Sequence, residues 1–593
     1  MLNTVELTTD VCVVGGGMSG LAAAISAARA GAKVILMHER PVLGGNASSE
    51  IRMWICGAKG ENNRETGLAE EIALTSLYRN PTKSYAVWDT ILFDFAKAEP
   101  NVTLLLNCAC MDAEVTKGEF PYGRTTRIES VTGYSMTTQQ FFKVKAKTFI
   151  DCSGDSILAP LTGAEFSIGR ESAEVYGEDT HVAVSDRMTM GMSCLIQARE
   201  TTRPIPYKAP NFATKLTKEQ VENRRPNLRK TSENFWYLEL GGDRDTIKDT
   251  DTLRDELVAL AAGMWDYLKN ESGDDIENFE LDFLGFLPGK RESRRMTGEY
   301  VITQKDISEN RSFHDVIAFG GWPLDDHFPA GFYHKGAANT NIETPAPYQI
   351  PYRCLYSKNV SNLMFAGRNI SMTHMAMSSI RVMATCMLLG QAAGFASALC
   401  SREDTTPHGV YENHLSTLQT MLLEADCFLP GHRREISQIC QRAALSGPDG
   451  LRDGADREHM LYDNVGQTPQ IKNGEAVTYR LTEPAFVDSV HIVFDSDLNR
   501  HTLPGTRTEQ TLVTRAITLL DSPMMHLPKT LCKAYVLEGT TPEGESVCLF
   551  NADENHSRAV TIPLQQTLSS LSLRLLSNWG ESDHTPLISF DFK

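Results

Sequence analysis

The sequence predicts an α/β protein: a Rossmann-like dinucleotide-binding domain, interrupted by a mixed α/β insertion and followed by an all-β jelly-roll sandwich. Three observations carry that expectation. DVCVVGGGMSG, residues 10–20, is a β-rich run closing on G-x-G-x-x-G at Gly15, Gly17 and Gly20. FAGRNISMTHMAMSSIRVMATCMLLGQAAG, residues 365–394, is a turn that becomes a small, apolar helix; Arg381 is the only formally charged residue between Ser371 and Cys400. After about residue 455 the pattern changes to short alternating strands broken by turns, as in VTYRLTEPAFVDSVHIVFDSD, KAYVLEGTT, ESVCLFNADEN and LSLRLLSNWGE.

At 593 residues the chain is too long for one core, and 41% apolar with 22% charged residues is ordinary for a folded protein. The net charge of −18 argues against a nucleic-acid surface, which needs clustered Lys and Arg. The 13 cysteines show no CxxC pairs, so neither a metal site nor a disulfide framework is expected; they read as reduced thiols. The first strand begins within ten residues with no signal peptide ahead of it, and the apolar helix after Ser371 carries His374, Arg381 and Gln391. A cytoplasmic protein with no membrane span is the expectation.

In the first βαβ unit the glycine turn leads into the helix LAAAISAARAGA and a second strand, KVILMHE, ending at Glu39. The glycines permit a tight turn, close approach to a pyrophosphate, and close helix–strand packing. A helix N-terminus favours the phosphates, and Glu39, 19 residues after Gly20, is placed for the ribose hydroxyls. This much suits NAD or FAD alike. The next run, Arg40-Pro-Val-Leu-Gly44-Gly45-Asn46, resembles the loop by which flavoproteins of the glutathione-reductase-like class approach FAD. KTFIDCSGDS resembles the TGD turn of the same class, at Ser153, Gly154 and Asp155. Three signatures in that order imply FAD. By the same resemblance the chain returns at NLMFAG to close the site, with Gly367, Arg368, Ser378, Ser379 and Arg381 joining the cofactor set. Cys110, which forms a CxC with Cys108 at the end of the apolar run VTLLLN, is counted with them.

Residues 1–440 resemble a bacterial FAD-dependent oxidoreductase family related distantly to fumarate reductase flavoproteins. The carriers are GGGMSG, ERPVLGGNAS, FIDCSGDS, RRMTGEYVIT and AGRNISMTHMAMSSIRVMATCMLLGQAAG. Where covalent flavoproteins of that kind carry a histidine near the Gly-Gly loop, this chain has Asn46-Ala47-Ser48-Ser49, which implies non-covalent FAD. No second G-x-G-x-x-G unit is present for a nicotinamide, so the electron acceptor or donor stays unidentified.

The expected domains are 1–165 with 351–443 for FAD, 166–350 as a substrate cap, 444–457 as a linker and 458–593 as the sandwich. The sandwich resembles a discoidin-like, galactose-binding-type domain through YDN (462–464) and NWG (578–580). The cap carries the helical pattern DTDTLRDELVALAAGMWDYLKNE and the polar loop GGWPLDDHFPAGFYHKGAANTN, residues 320–341.

Two reactions compete. In the first, a hydroxyl carbon of a carbohydrate-type small molecule is oxidised by hydride transfer to flavin N5; a neutral His374, or His327 across the pocket, takes the proton and Arg381 offsets charge on the reduced flavin. In the second, a fumarate-reductase-like ene reductase clamps an unsaturated acid with arginines from Arg170, Arg291, Arg294 and Arg295; RESRR reads equally as a solvated turn. A non-catalytic flavin-holding interaction module is the third reading. A thiol–disulfide flavoenzyme fits less well still, because its redox-active close cysteine pair is missing. The sequence leaves a homo-oligomer open.

Overall fold

The structure is a computed structural model, describing residues 2–179, 182–229, 235–459, 461, 467–505 and 518–593. The YDN at 462–464 lies outside the described residues. The chain forms two compact units. The first comprises residues 1–59, 82–418 and 512–522; the second, 60–81, 419–511 and 523–593.

The first unit is built on a seven-stranded sheet. Strands β1 (Thr4–Val14), β2 (Val34–Met37) and β3 (Val102–Leu105) are parallel, and β1 pairs on its other side with β6 (Gln140–Asp151), also parallel. An antiparallel meander of β4 (Cys108–Phe120) and β5 (Arg124–Ser135) extends the sheet beyond β6, and β7 (Leu363–Phe365) returns to pair with β6 in parallel. Register explains where a ligand would go. Val14 is level with Met37 and with Asp151, and Asp151 with Phe365. Four chain segments separated in sequence therefore leave the carboxyl edge of the sheet together, the edge at which open α/β sheets bind ligands.

Helix α1 (Met18–Arg29) follows β1 and is buried from Met18 to Ala28. The helix expected after Ser371 is two: a short one at His374–Ile380 and a long one at Met383–Arg402, broken at Arg381–Val382. A Cβ on Gly390 would stand 2.1 Å from the Ser19 carbonyl oxygen, and one on Gly394 would stand 2.3 Å from that of Ala23. Backbone thus meets backbone between α1 and the long helix, and only glycine allows it. The long helix has the length and apolarity to cross a membrane, yet 94% of that window is buried inside the protein.

The inserted segment makes small two- and three-stranded sheets around α2 (Thr250–Asn270), whose Leu253, Leu257, Leu260 and Trp265 are buried as their spacing predicts. The two helices that follow are α3 (His374–Ile380) and α4 (Met383–Arg402). In the run RMTGEYVITQ, Arg295–Met296 pairs with Phe166–Ser167, and Gly298 and Ile302 make isolated bridges to Ser357 and Met372.

The second unit is an antiparallel seven-stranded sheet, with strands Ala476–Phe494 and Ala559–Asn578 at its centre. Its core includes Tyr479, Phe494, Tyr535, Leu573 and Phe590. Residues 444–446 add a short strand, and Leu451 is buried. Asn578 of the NWG run holds a turn, donating to the carbonyls of Ser582 and His584.

Candidate active site

The cradle at the sheet edge is made of glycines. Gly15 has φ +104, and a Cβ there would lie 2.4 Å from the Cys152 carbonyl oxygen; one on Gly20 would lie 1.8 Å from that of Gly15. These two close the strand–turn–helix on itself. Gly17 differs: the nearest atom to its added Cβ is the Gly45 Cα at 3.9 Å, so this side is open. Gly17 also starts α1 with no side-chain cap, leaving the helix end free for an anion. Gly44 (φ +107) donates its N–H to the Gly16 carbonyl at 2.9 Å, which lays the Gly-Gly loop against the first turn. Glu39 ends the strand region with its side chain half exposed. Burial raises its pKa, but the net shift is downward, with Arg40 at 3.4 Å favouring the ionised carboxylate. An open glycine, an uncapped helix and an ionised acid at this spacing fit a dinucleotide.

Other expected cofactor residues have protein partners. Asp155 lies 2.6 Å from Arg368 and 2.8 Å from Lys290, and accepts from Ser293; despite burial these cations keep its carboxyl well below the usual range. Gly154 (φ +75) faces the Arg368 guanidinium, where a Cβ would sit 2.9 Å away, and Gly367 takes φ +111. Ser153 donates to buried Asp151 at 2.7 Å, and Asn46 donates to the Lys290 carbonyl at 3.1 Å. Arg40 also faces Glu50 at 3.5 Å. Cys110 pairs with Gly133 in the meander, its thiol pushed up to about 12, chiefly by burial. Ser378 and Ser379 lie in α3. Both are fully buried; Ser378 donates to Met375, and Ser379 donates to the Trp322 carbonyl and meets the Tyr348 hydroxyl. The Ser379 hydroxyl ties α3 to the polar loop, while that of Ser378 bonds within α3.

The polar loop 320–341 closes on α3. His374, at the first turn, has Nδ1 2.8 Å from Glu292 and Nε2 3.0 Å from Asp326. Burial works against its charge, but a carboxylate on each nitrogen wins and raises the pKa to about 10. This corrects the expected neutral base: at neutral pH His374 is an imidazolium, since both nitrogens must donate. Its carboxylates are anchored in turn. Glu292, fully buried, accepts from Arg295 and from the Met190 N–H; Arg295 also pairs with Glu171 at 2.6 Å, and Glu171 accepts the His374 N–H at 2.9 Å. The row Glu171, Arg295, Glu292, His374, Asp326 alternates in sign and ends on Asp326, whose side chain is 23% exposed.

His327 repeats the motif. Its Nδ1 is 2.6 Å from Glu239 and its Nε2 3.5 Å from Asp325, with Trp236 edge-on to the ring at 5.2 Å. Arg381 donates to the Asp325 carboxylate at 3.0 Å and to its carbonyl at 3.1 Å. The arginines proposed to clamp a carboxylate are engaged elsewhere: Arg170 with Asp186 at 2.5 Å, Arg291 with Glu239 at 3.4 Å and the Trp236 carbonyl, Arg294 with the Asp155 carbonyl, and Arg295 as above. RESRR is therefore not a solvated turn, and Glu171, Glu239 and Glu292 were missed by sequence reasoning. No motif flags them; an acid between arginines in RESRR was the available signal. Among the described residues no cluster of His, Cys, Asp and Glu suits a metal ion.

Comparison with known proteins bears on the cradle. The curated relatives matched, fumarate reductase (cytochrome) of Shewanella frigidimarina, are 62% identical over 40 residues, and this chain spans 7% of their length and 7% of its own in that match. Among solved structures, a geranylgeranyl bacteriochlorophyll reductase-like protein from Thermoplasma acidophilum is 12% identical, covering 71% of this chain and 85% of that one, at a TM-score of 0.30. E. coli quinol fumarate reductase is 10% identical over 72% of this chain and 79% of its own, at 0.27. A family 32 carbohydrate-binding module from Streptococcus pneumoniae is 12% identical over 26% of this chain and 99% of its own, at 0.18. A family model described as FAD dependent oxidoreductase matches residues 10–422, so the chain belongs to that family and is an FAD-dependent oxidoreductase.

Proposed function

We propose that the enzyme oxidises a hydroxyl carbon of a neutral, polyhydroxylated, carbohydrate-type molecule. The observation that carries this reading is the charge row ending on Asp326. Arg295 and His374 alternate with three carboxylates, and the row ends on Asp326, whose side chain is 23% exposed and meets His374 at 3.0 Å. A substrate hydroxyl facing Asp326 finds a proton acceptor there, and His374 fixes that carboxylate in place. The arginines that an anionic substrate would need are already engaged. FAD, when bound, supplies the hydride acceptor. We read its attachment as non-covalent: His38, the histidine beside the cradle, accepts the Gly16 N–H at 3.0 Å and contacts the Val42 carbonyl at 3.1 Å, so both its nitrogens are engaged.

The antiparallel second unit is read as a jelly-roll sandwich, its long strands bent where the register shifts between Arg480 and Ala485. The 13 cysteines, with no CxxC pair among them, are read as the thiols of a reducing compartment such as the cytoplasm. The short match to fumarate reductase favours a second reading, reduction of an unsaturated acid with His374 as the proton donor.

Anaerobic titration of the purified holoenzyme separates the two. Bleaching of the visible flavin band by one class of sugars or glycosides establishes hydroxyl oxidation. A band that no sugar bleaches, but that returns in dye-reduced enzyme on adding unsaturated acids, overturns it.

A further inference from the structure

We propose that Lys290, carried by the insertion and not by the dinucleotide fold, is an FAD-binding residue that reads the cofactor's negative charge. The segment Gly289–Arg295 runs along the cradle and is fastened to both of its distal loops. Asn46 of the Gly-Gly loop donates to the Lys290 carbonyl at 3.1 Å, while the Lys290 ammonium reaches Asp155 at 2.8 Å. Ser293 donates to Asp155 at 2.7 Å and accepts from Arg368 at 3.1 Å, and Arg294 donates to the Asp155 carbonyl at 3.1 Å. The side chains of Lys290, Arg368 and Asp155 are 17%, 16% and 27% exposed.

Charge balance makes the argument. Two cations, Lys290 and Arg368, face the partly exposed carboxylate of Asp155, while the buried carboxylate of Asp151 behind it is held by the Ser153 and Leu158 N–H groups, so the exposed side of this corner carries an excess positive charge. A partly exposed excess cation beside a glycine turn is an anion-recognition arrangement. FAD offers two negative centres, its diphosphate and its isoalloxazine once reduced. Arg368 alone would suffice to neutralise Asp155, so pairing with that acid does not account for Lys290. The inference does not depend on the hydroxyl-oxidation reading.

The test replaces Lys290 in the full-length protein and measures FAD affinity by titrating apoprotein, together with the flavin midpoint potential. Lys290→Met leaves Asp155 paired with Arg368, and circular dichroism checks that the fold survives. FAD binding weakens about tenfold or more, the usual consequence of losing a charge-assisted contact. Lys290→Arg restores most of it. If the potential also becomes more negative, Lys290 faces the flavin ring; if affinity falls with the potential unchanged, it faces the diphosphate. A folded Lys290→Met protein with wild-type affinity and potential overturns the proposal.

Discussion

The dinucleotide cradle and the histidine site sit in one unit but are specified in opposite ways. The cradle is a matter of backbone: Gly15, Gly20, Gly44 and Gly367 take conformations or approaches that a Cβ forbids. The histidine site is a matter of side chains, with Glu171, Glu239, Glu292, Asp325, Asp326, His327, His374 and Arg381 drawn from five separated segments and held by ion pairs. A backbone site should fail completely when one atom is added. A charge network should fail by degrees and through pH.

Gly20→Ala is the harshest test of that contrast. The new methyl would lie 1.8 Å from the Gly15 carbonyl oxygen, too close for any side-chain adjustment, so the protein purifies without a visible flavin band. Gly17→Ala sharpens the point. Its methyl has room, so the apoprotein melts as the wild type does while FAD affinity falls. Equal melting losses in the two variants would mean that both glycines are structural and that Gly17 reads no cofactor.

At the histidine site the largest effect belongs to the exposed end of the row. Asp326→Asn removes the proposed proton acceptor and lowers the rate of flavin reduction by ~10²–10⁴-fold, the range for losing a general base, with FAD still bound. Stopped-flow reduction measures it, and an unchanged rate removes Asp326 from the chemistry. Glu292→Gln should act more mildly, through pH. Glu292 is one of two acids that raise His374 from 6.5 to about 10, so the alkaline limb of the pH–rate profile moves down toward neutrality in the variant. Stability follows the same sign. In the wild type the imidazolium's contribution is complete below about 6.5 and is lost as pH rises through about 10, whereas Asp326, whose pKa is lowered, contributes above 3.8 and loses that as pH falls. Melting temperatures across that range check both limbs.

The same contrast explains what the sequence could reveal. Glycines and the acid at Glu39 act through fixed spacings along one chain segment, so the first βαβ unit, the Gly-Gly loop and the return through Gly367 are legible without a structure. The loop 320–341 is legible as polar and unusual, and His374, His327 and Arg381 stand out by residue type. Their partners do not. Whether His374 is neutral or charged depends on Glu292 and Asp326, which lie 82 and 48 residues away, and no local pattern records such a pairing. The partners of Ser379 are hidden for the same reason: Trp322 and Tyr348, which meet its hydroxyl, lie 57 and 31 residues away.

Cysteine chemistry supplies the smallest expected effect and closes the comparison from the other side. Cys108, Cys110 and Cys152 belong to the strands and turn around the cradle, the region where a reactive thiol would matter most. Burial pushes Cys108 up to about 11 and Cys110 to about 12, and Cys152 beside Asp151 rises further. The thiolate is the reactive form, so these three are inert near neutral pH. Cys548, on the strand Ser546–Ala552 of the second unit, is exposed. Brief alkylation of the holoenzyme at neutral pH should therefore label Cys548 ahead of the cradle thiols and leave flavin content and reduction rate unchanged, as peptide mass mapping and the flavin band would record. Early labelling of Cys110 or Cys152 would show the cradle opening on that timescale. A backbone-defined site whose glycines leave no slack should not open so readily, and its thiols are the probes that can tell.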